Sequence, residues 1–209
     1  MIDAAIVGLG RWGRTLVEAV QGKSDKLRFT RAVSRNPDRL RDFAARHALE
    51  LVGELAPVLA DRTIGAVVVA TPHSLHCEQT VAVAAAGKAV FCEKPLTLTK
   101  AEATRVIEEC HKARVVLGIG TDKRFFPAMS ELLRLVKGGE LGRILHLEAH
   151  FSNEVAGTAS EWRYSLEESP AGGMTGTGIH MLDALVALAG PVRGGAGAVA
   201  VPQAAPRSA

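Results

Sequence analysis

Cysteine is scarce in this chain, with Cys77, Cys92 and Cys110 the only three among 209 residues. They form no C-x-x-C pair and sit inside apolar stretches, which argues against a disulfide framework and for reduced, buried thiols in a cytosolic protein. Net charge is nearly as scarce: 25 Lys and Arg stand against 22 Asp and Glu, a formal balance of +3. So small and scattered an excess excludes a nucleic-acid surface as the expected partner. There is no apolar run long enough to cross a bilayer, and the first residues open into a strand pattern without the basic, apolar and cleavage regions of a signal peptide. No membrane partner is therefore expected, and the cytoplasm is the expected compartment. What the chain does have is 47% hydrophobic and 22% charged residues, enough to bury a core in one full domain and part or all of a small second one.

Short apolar runs alternate with longer segments of helical period, the pattern of parallel strands joined by crossover helices. Strands are expected near residues 4–7, 28–34, 66–70, 89–92 and 115–119, and helices near 13–20, 37–46, 75–86 and 100–112. Asn36-Pro37 reads as an N-cap followed by proline in the first turn, and Gly87 as a helix stop. Val67-Val68-Val69 and Val115-Val116-Leu117 are continuously apolar, as strands covered on both faces should be. The expected fold is α/β, a Rossmann doubly wound parallel sheet, followed by an incomplete α+β carboxy-terminal domain. Right-handed crossovers bring the loops after these strands to one edge, so the turn at Gly8, Ser34, Thr71 and Glu93 should meet at one crevice.

The first of those loops is Val7-Gly8-Leu9-Gly10-Arg11-Trp12-Gly13, a G-x-G-x-x-G turn between a strand and a helix. Gly8 allows the tight turn, Gly10 lets the backbone approach a diphosphate, and Gly13 lets the helix lie close to the sheet, with Arg11 and Trp12 completing the loop. The free N–H groups of the helix start then face the phosphates. At the end of the second strand an NAD binder carries an acid for the ribose hydroxyls, whereas this chain reads Ala32-Val33-Ser34-Arg35. A hydroxyl and a guanidinium receive a 2′-phosphate, so NADP is expected in preference to NAD. Thr71-Pro72 and Glu93-Lys94-Pro95 follow the next two central strands, and Pro95 holds Lys94 out of helical geometry so that its ammonium can reach a carbonyl or alkoxide in the crevice. The competing reading leaves Arg35, Glu93 and Lys94 as solvated loop charges.

A second domain is expected over residues 121–190 after a dinucleotide-binding domain of 1–120, with a helix over 127–136 and a strand over 144–151. The loop holding Trp162, Arg163 and Tyr164 offers stacking and hydroxyl recognition to a substrate. Residues 191–209 are almost entirely Gly, Ala, Pro and Val, a low-complexity tail. His73 with His76, and His146 with His150, do not supply three ligands with acidic partners, so no metal is expected.

The ordered set Val7-Gly8-Leu9-Gly10, Thr71-Pro72 with His76, Gly87-Lys88 leading to Glu93-Lys94-Pro95, Gly139-Glu140-Leu141-Gly142, and the run Gly172 to Asp183 resembles the Gfo/Idh/MocA oxidoreductases. The resemblance implies a Rossmann domain paired with an α+β domain, NAD or NADP as cofactor, and a sugar, polyol or related substrate. It implies that Lys94 lies near the nicotinamide and the substrate oxygen, that His180 is the acid or base, and that His76 touches the cofactor with the Thr71-Pro72 loop. Asp183, three residues past His180 and on its helix face, can orient the imidazole or contact substrate. Many relatives carry Asp four residues before this histidine, where this chain has Gly176. Family members also continue into several further strands, so the chain is expected to lack most of that sheet, to be prone to association or partial disorder, and to have any homo-oligomer compromised by the missing sheet. Two classes stay open: an NADP-linked oxidoreductase, and a non-catalytic nucleotide-binding or sensor protein derived from that family.

Overall fold

The structure, a computed structural model, describes residues 1–152, 162 and 165–198, and divides the chain into two compact units, Met1–Gly120 and Thr121–Ala209. The first unit is built on six parallel strands: β1 (Ile2–Val7), β2 (Leu27–Val33), β3 (Glu50–Val52), β4 (Ala66–Val69), β5 (Ala89–Cys92) and β6 (Leu117–Ile119), in the order β3-β2-β1-β4-β5-β6. Crossovers run outward in both directions from β1 and β4, which makes their junction the topological switch point. Val7 is level with Val33 on one side and Val69 on the other, and Val69 with Cys92, so the loops after β1, β2, β4 and β5 open along one edge.

The sheet has a core on each face. Ala5, Val7, Val67, Val69, Val90 and Cys92 pack with Val83 and Cys77 of α4 (His76–Ala85) and Val106 and Cys110 of α5 (Lys100–Ala113). The alternate residues Ala4, Ile6 and Val68, with Phe29 and Ala32, pack against Val17 of α1 (Arg11–Val20) and Phe43 of α2 (Arg41–Arg46). All three cysteines are buried, as expected, and burial raises their thiol pKa values, that of Cys92 up to about 12. Lys88 is buried too, its Nζ donating to the carbonyls of Asp61 at 2.6 Å and Ile64 at 2.9 Å.

Local details depart from expectation in four places. Strand β6 starts only at Leu117, and Val116, read as part of a strand covered on both faces, is 72% exposed. Asn36 makes no side-chain cap; instead the Ser34 hydroxyl accepts from the Asn36 amide at 3.2 Å, and the chain runs through a 3-10 turn, Pro37–Leu40, before α2. Strand β3 and helix α3 (Ala56–Ala60) were not foreseen, being only three and five residues long. The strand expected over 144–151 does not form. Among the described residues its polar and apolar alternation has no neighbouring strand to pair with, and Leu145 stays 86% exposed.

Among its described residues the second unit is helical: a 3-10 turn Asp122–Phe125, α6 (Pro127–Lys137), a π turn Met174–Gly178 and α7 (Ile179–Ala189). No helix of the described residues is long and apolar enough to cross a membrane.

Candidate functional site

The glycine turn is built by contact and by open space in the right places. Gly8 has φ +94°, and a Cβ there would lie 2.6 Å from the carbonyl oxygen of Ala70, so the turn packs on the loop that leaves β4. A Cβ on Gly13 would lie 2.0 Å from the Gly8 carbonyl oxygen, which is how closely α1 approaches the turn. Gly10 differs: it is exposed and a Cβ would meet nothing within 4 Å. It is the N-cap of α1, no side chain caps the helix, and no acidic residue stands in its first turn. Exposed backbone at the positive end of a ten-residue helix, at the switch point of a parallel sheet, fits the diphosphate of a dinucleotide. Arg11 and Trp12 lie exposed beside it.

The other loops of this edge hold the remaining cofactor candidates. Ser34 donates its amide to Val52 at 3.0 Å, and Arg35 is exposed, its guanidinium paired with no carboxylate among the described residues. Thr71 is fixed by its hydroxyl, which donates to Gln79 Oε1 at 2.7 Å, and Pro72 follows it half-buried. His76, expected at the cofactor with the Thr71-Pro72 loop, is 0% exposed. Its Nδ1 lies 2.7 Å from the Pro95 carbonyl and its Nε2 3.0 Å from the Thr71 carbonyl, so the ring is a strut that joins the two loops flanking the crevice. Glu93 is buried, its Oε2 accepting from the Lys94 amide at 3.3 Å, and a Cβ on Gly120 would intrude to 2.6 Å of its Oε1. Lys94 is half-buried at the same edge.

The second unit holds the other candidates. His180 lies in the first turn of α7 and is 9% exposed. The carboxylate that α7 itself supplies, Asp183, does not serve this ring. Arg124 takes it in a two-pronged pair, Nε to Oδ2 and Nη2 to Oδ1, both at 2.6 Å, and that bond raises the pKa of the guanidinium. Among the described residues the carboxylate beside His180 is that of Asp122, whose Oδ1 lies 3.5 Å from the ring Nδ1. Asp122 and Arg124 escaped the sequence reading because they lie about sixty residues before α7 with no periodicity linking them to it; the charged triplet Asp122-Lys123-Arg124 just past β6 was the available signal. Trp162 is half-buried, while Arg163 and Tyr164, its expected companions in substrate contact, lie outside the described residues.

A parallel sheet with this strand order and an open glycine turn at its switch point defines an NAD-binding Rossmann protein. The chain belongs to the Gfo/Idh/MocA oxidoreductase family: residues 2–121 match its NAD-binding Rossmann domain and residues 129–204 its carboxy-terminal domain. Myo-inositol 2-dehydrogenase of Thermotoga maritima is 34% identical over 139 residues, 66% of this chain and 41% of that protein. Inositol 2-dehydrogenase 2 of Saccharopolyspora erythraea is 33% identical over 192 residues, 87% of this chain and 52% of that protein. The crystal structure of the WlbA dehydrogenase from Bordetella pertussis, in complex with NADH and UDP-GlcNAcA, superposes with a TM-score of 0.78 at 26% identity, over 91% of this chain and 59% of that one. The chain thus spans about half the length of the curated relatives it matches.

Proposed function

We propose that this chain is an NADP-preferring dehydrogenase or reductase of a sugar, polyol or related hydroxy or keto compound. The observation that carries the reading is the open backbone at Gly10, on the same sheet edge as Lys94. The leading N–H groups of α1 bind the diphosphate, and Ser34 with the exposed Arg35 receives a 2′-phosphate. When bound, the nicotinamide gives or accepts hydride. The Lys94 ammonium steadies the substrate oxygen as charge develops there, and His180 takes or returns its proton, a task suited to a group that titrates near neutrality. The inositol dehydrogenases among the relatives support the substrate class. A second reading, a nucleotide-binding sensor without chemistry, is favoured by the absence of a side chain at Gly176 and by the engagement of Asp183 with Arg124.

Titration of NADPH and NADH fluorescence, followed by myo-inositol and a panel of aldoses monitored at the nicotinamide absorbance, tests both readings. NADPH is expected to bind about tenfold tighter than NADH, with Arg35→Ala erasing the difference. His180→Ala is expected to lower kcat by roughly a hundredfold or more. Equal affinities remove the NADP preference, and binding with no turnover on any substrate selects the sensor.

A further inference from the structure

We propose that Asp122 is the positioning residue for His180, the carboxylate that fixes its imidazole with the Nδ1 proton in place and Nε2 left as the base. This deepens the oxidoreductase reading and rests on it for the role of His180. The two groups belong to different elements, the 3-10 turn Asp122–Phe125 and α7, and the 3.5 Å between Oδ1 and Nδ1 is an ion-pair separation, long for a hydrogen bond. Contacts of that kind in ligand-free sites shorten when the reacting complex forms. The ring is nearly enclosed, its side chain 11% exposed, while that of Asp122 is 38% exposed.

Helix α7 offers no rival. A carboxylate acting from the same helix would have to stand three or four residues away, and those positions are Gly176, Thr177, Asp183 and Ala184. Only Asp183 is acidic, and both its oxygens are occupied by Arg124. The Arg124 pair does something further: it clamps the 3-10 turn to α7 one helical turn beyond His180, so that Asp122, two residues before Arg124, is held beside the ring. Lys123 Nζ lies 3.3 Å from Oδ2 of Asp122, which leaves Oδ1 as the oxygen directed at the imidazole. A carboxylate on one ring nitrogen selects the tautomer in which the other carries the lone pair, and it steadies the imidazolium that forms when a hydroxyl proton is taken.

The test is ¹⁵N NMR of the histidine rings in the full chain, with His180 assigned from His180→Gln, at a pH about 1.5 above the ordinary histidine value so that the ring is neutral. The wild-type ring is expected as the Nδ1–H tautomer. Asp122→Ala is expected to move it to Nε2–H and to lower kcat about ten- to a hundredfold with little change in KM. Asp122→Asn keeps an acceptor oxygen, so it restores the tautomer and recovers part of the rate. An Nε2–H ring in the wild type overturns the proposal whether or not any variant folds, and so does a ring that Asp122→Ala leaves unchanged. If the tautomer responds as expected while no polyol or aldose is turned over, the oxidoreductase reading fails and the assignment of Asp122 stands. If turnover is found and the ring ignores Asp122, the reverse holds.

Discussion

Three glycines in one turn do three different jobs, and single substitutions separate them. Gly8→Ala places a methyl 2.6 Å from a backbone oxygen at φ +94°, so it is expected to destabilise the first unit by about 1–3 kcal/mol or more in urea unfolding. Gly10→Ala meets nothing in the protein and should cost less than about 1 kcal/mol, yet its methyl occupies the space a diphosphate needs. Its NADPH affinity is expected to fall at least about tenfold, roughly 1.4 kcal/mol, in a fluorescence titration. Unchanged binding would mean that the open backbone holds no phosphate. The cysteines argue the same way, from environment to behaviour. Burial lifts the Cys92 thiol to about 12, above its unfolded value of 9.0, so the folded state keeps a proton that the unfolded chain releases. Stability is therefore fully present below pH 9.0 and declines as pH rises towards 12, by up to about 1.4 kcal/mol per unit from this group. Cys92→Ala should flatten that alkaline slope in denaturant unfolding followed from pH 8 to 11, and an identical slope in the two proteins would assign the decline to other groups.

Elements with a strong local signal were legible, and those whose existence depends on a distant partner were not. Helix α5 starts where the sequence says, because Thr99 and Glu102 close a capping box: the Glu102 amide donates to the Thr99 hydroxyl at 3.2 Å and the Thr99 amide to Glu102 Oε2 at 3.1 Å. Thr99→Ala is expected to lower stability by about 1 kcal/mol, read as an earlier urea midpoint at constant slope, and Thr99→Ser to recover most of it. Strands β4 and β5 were readable because their residues are apolar without interruption, as both-faced burial requires, and β1 because its last four residues, Ala4 to Val7, are. Residues 144–151 carry a strand pattern as clear as any, but alternation states only which face would be buried and says nothing of whether a neighbour exists. The same limit applied at the site. The glycine turn, Ser34, Thr71 and Lys94 could be placed from strand ends, whereas the pairing of Arg124 with Asp183, and the approach of Asp122 to His180, depend on how a short turn docks on a helix about sixty residues later. The burial of the His76 ring was not legible either, since a motif does not state whether its ring faces out or in.

At the scale of the whole molecule the two units differ in how much apolar surface each withdraws from water. The centres of strands β1 and β4 of the first unit are inaccessible, with Ala4, Ala5, Ile6, Val67 and Val69 at 0% exposure. In the second, α6 has no buried residue, α7 buries only His180, and Phe125, Leu141, Leu145 and Leu166 are each more than half exposed. Local opening free energy follows buried apolar contact, so stability should be graded along the chain. Hydrogen exchange of the full chain is expected to leave the amides of β1 and β4 as the slowest, while those of α6 exchange faster by at least two orders of magnitude, about 2.7 kcal/mol of protection. The comparison is sensitive to association, because a second copy seated on α6 would cover that helix and remove the difference. Dilution across a hundredfold range separates the two cases: rates in α6 that rise on dilution show a face covered by another molecule, and rates that are fast and constant show a helix whose apolar side stands in water.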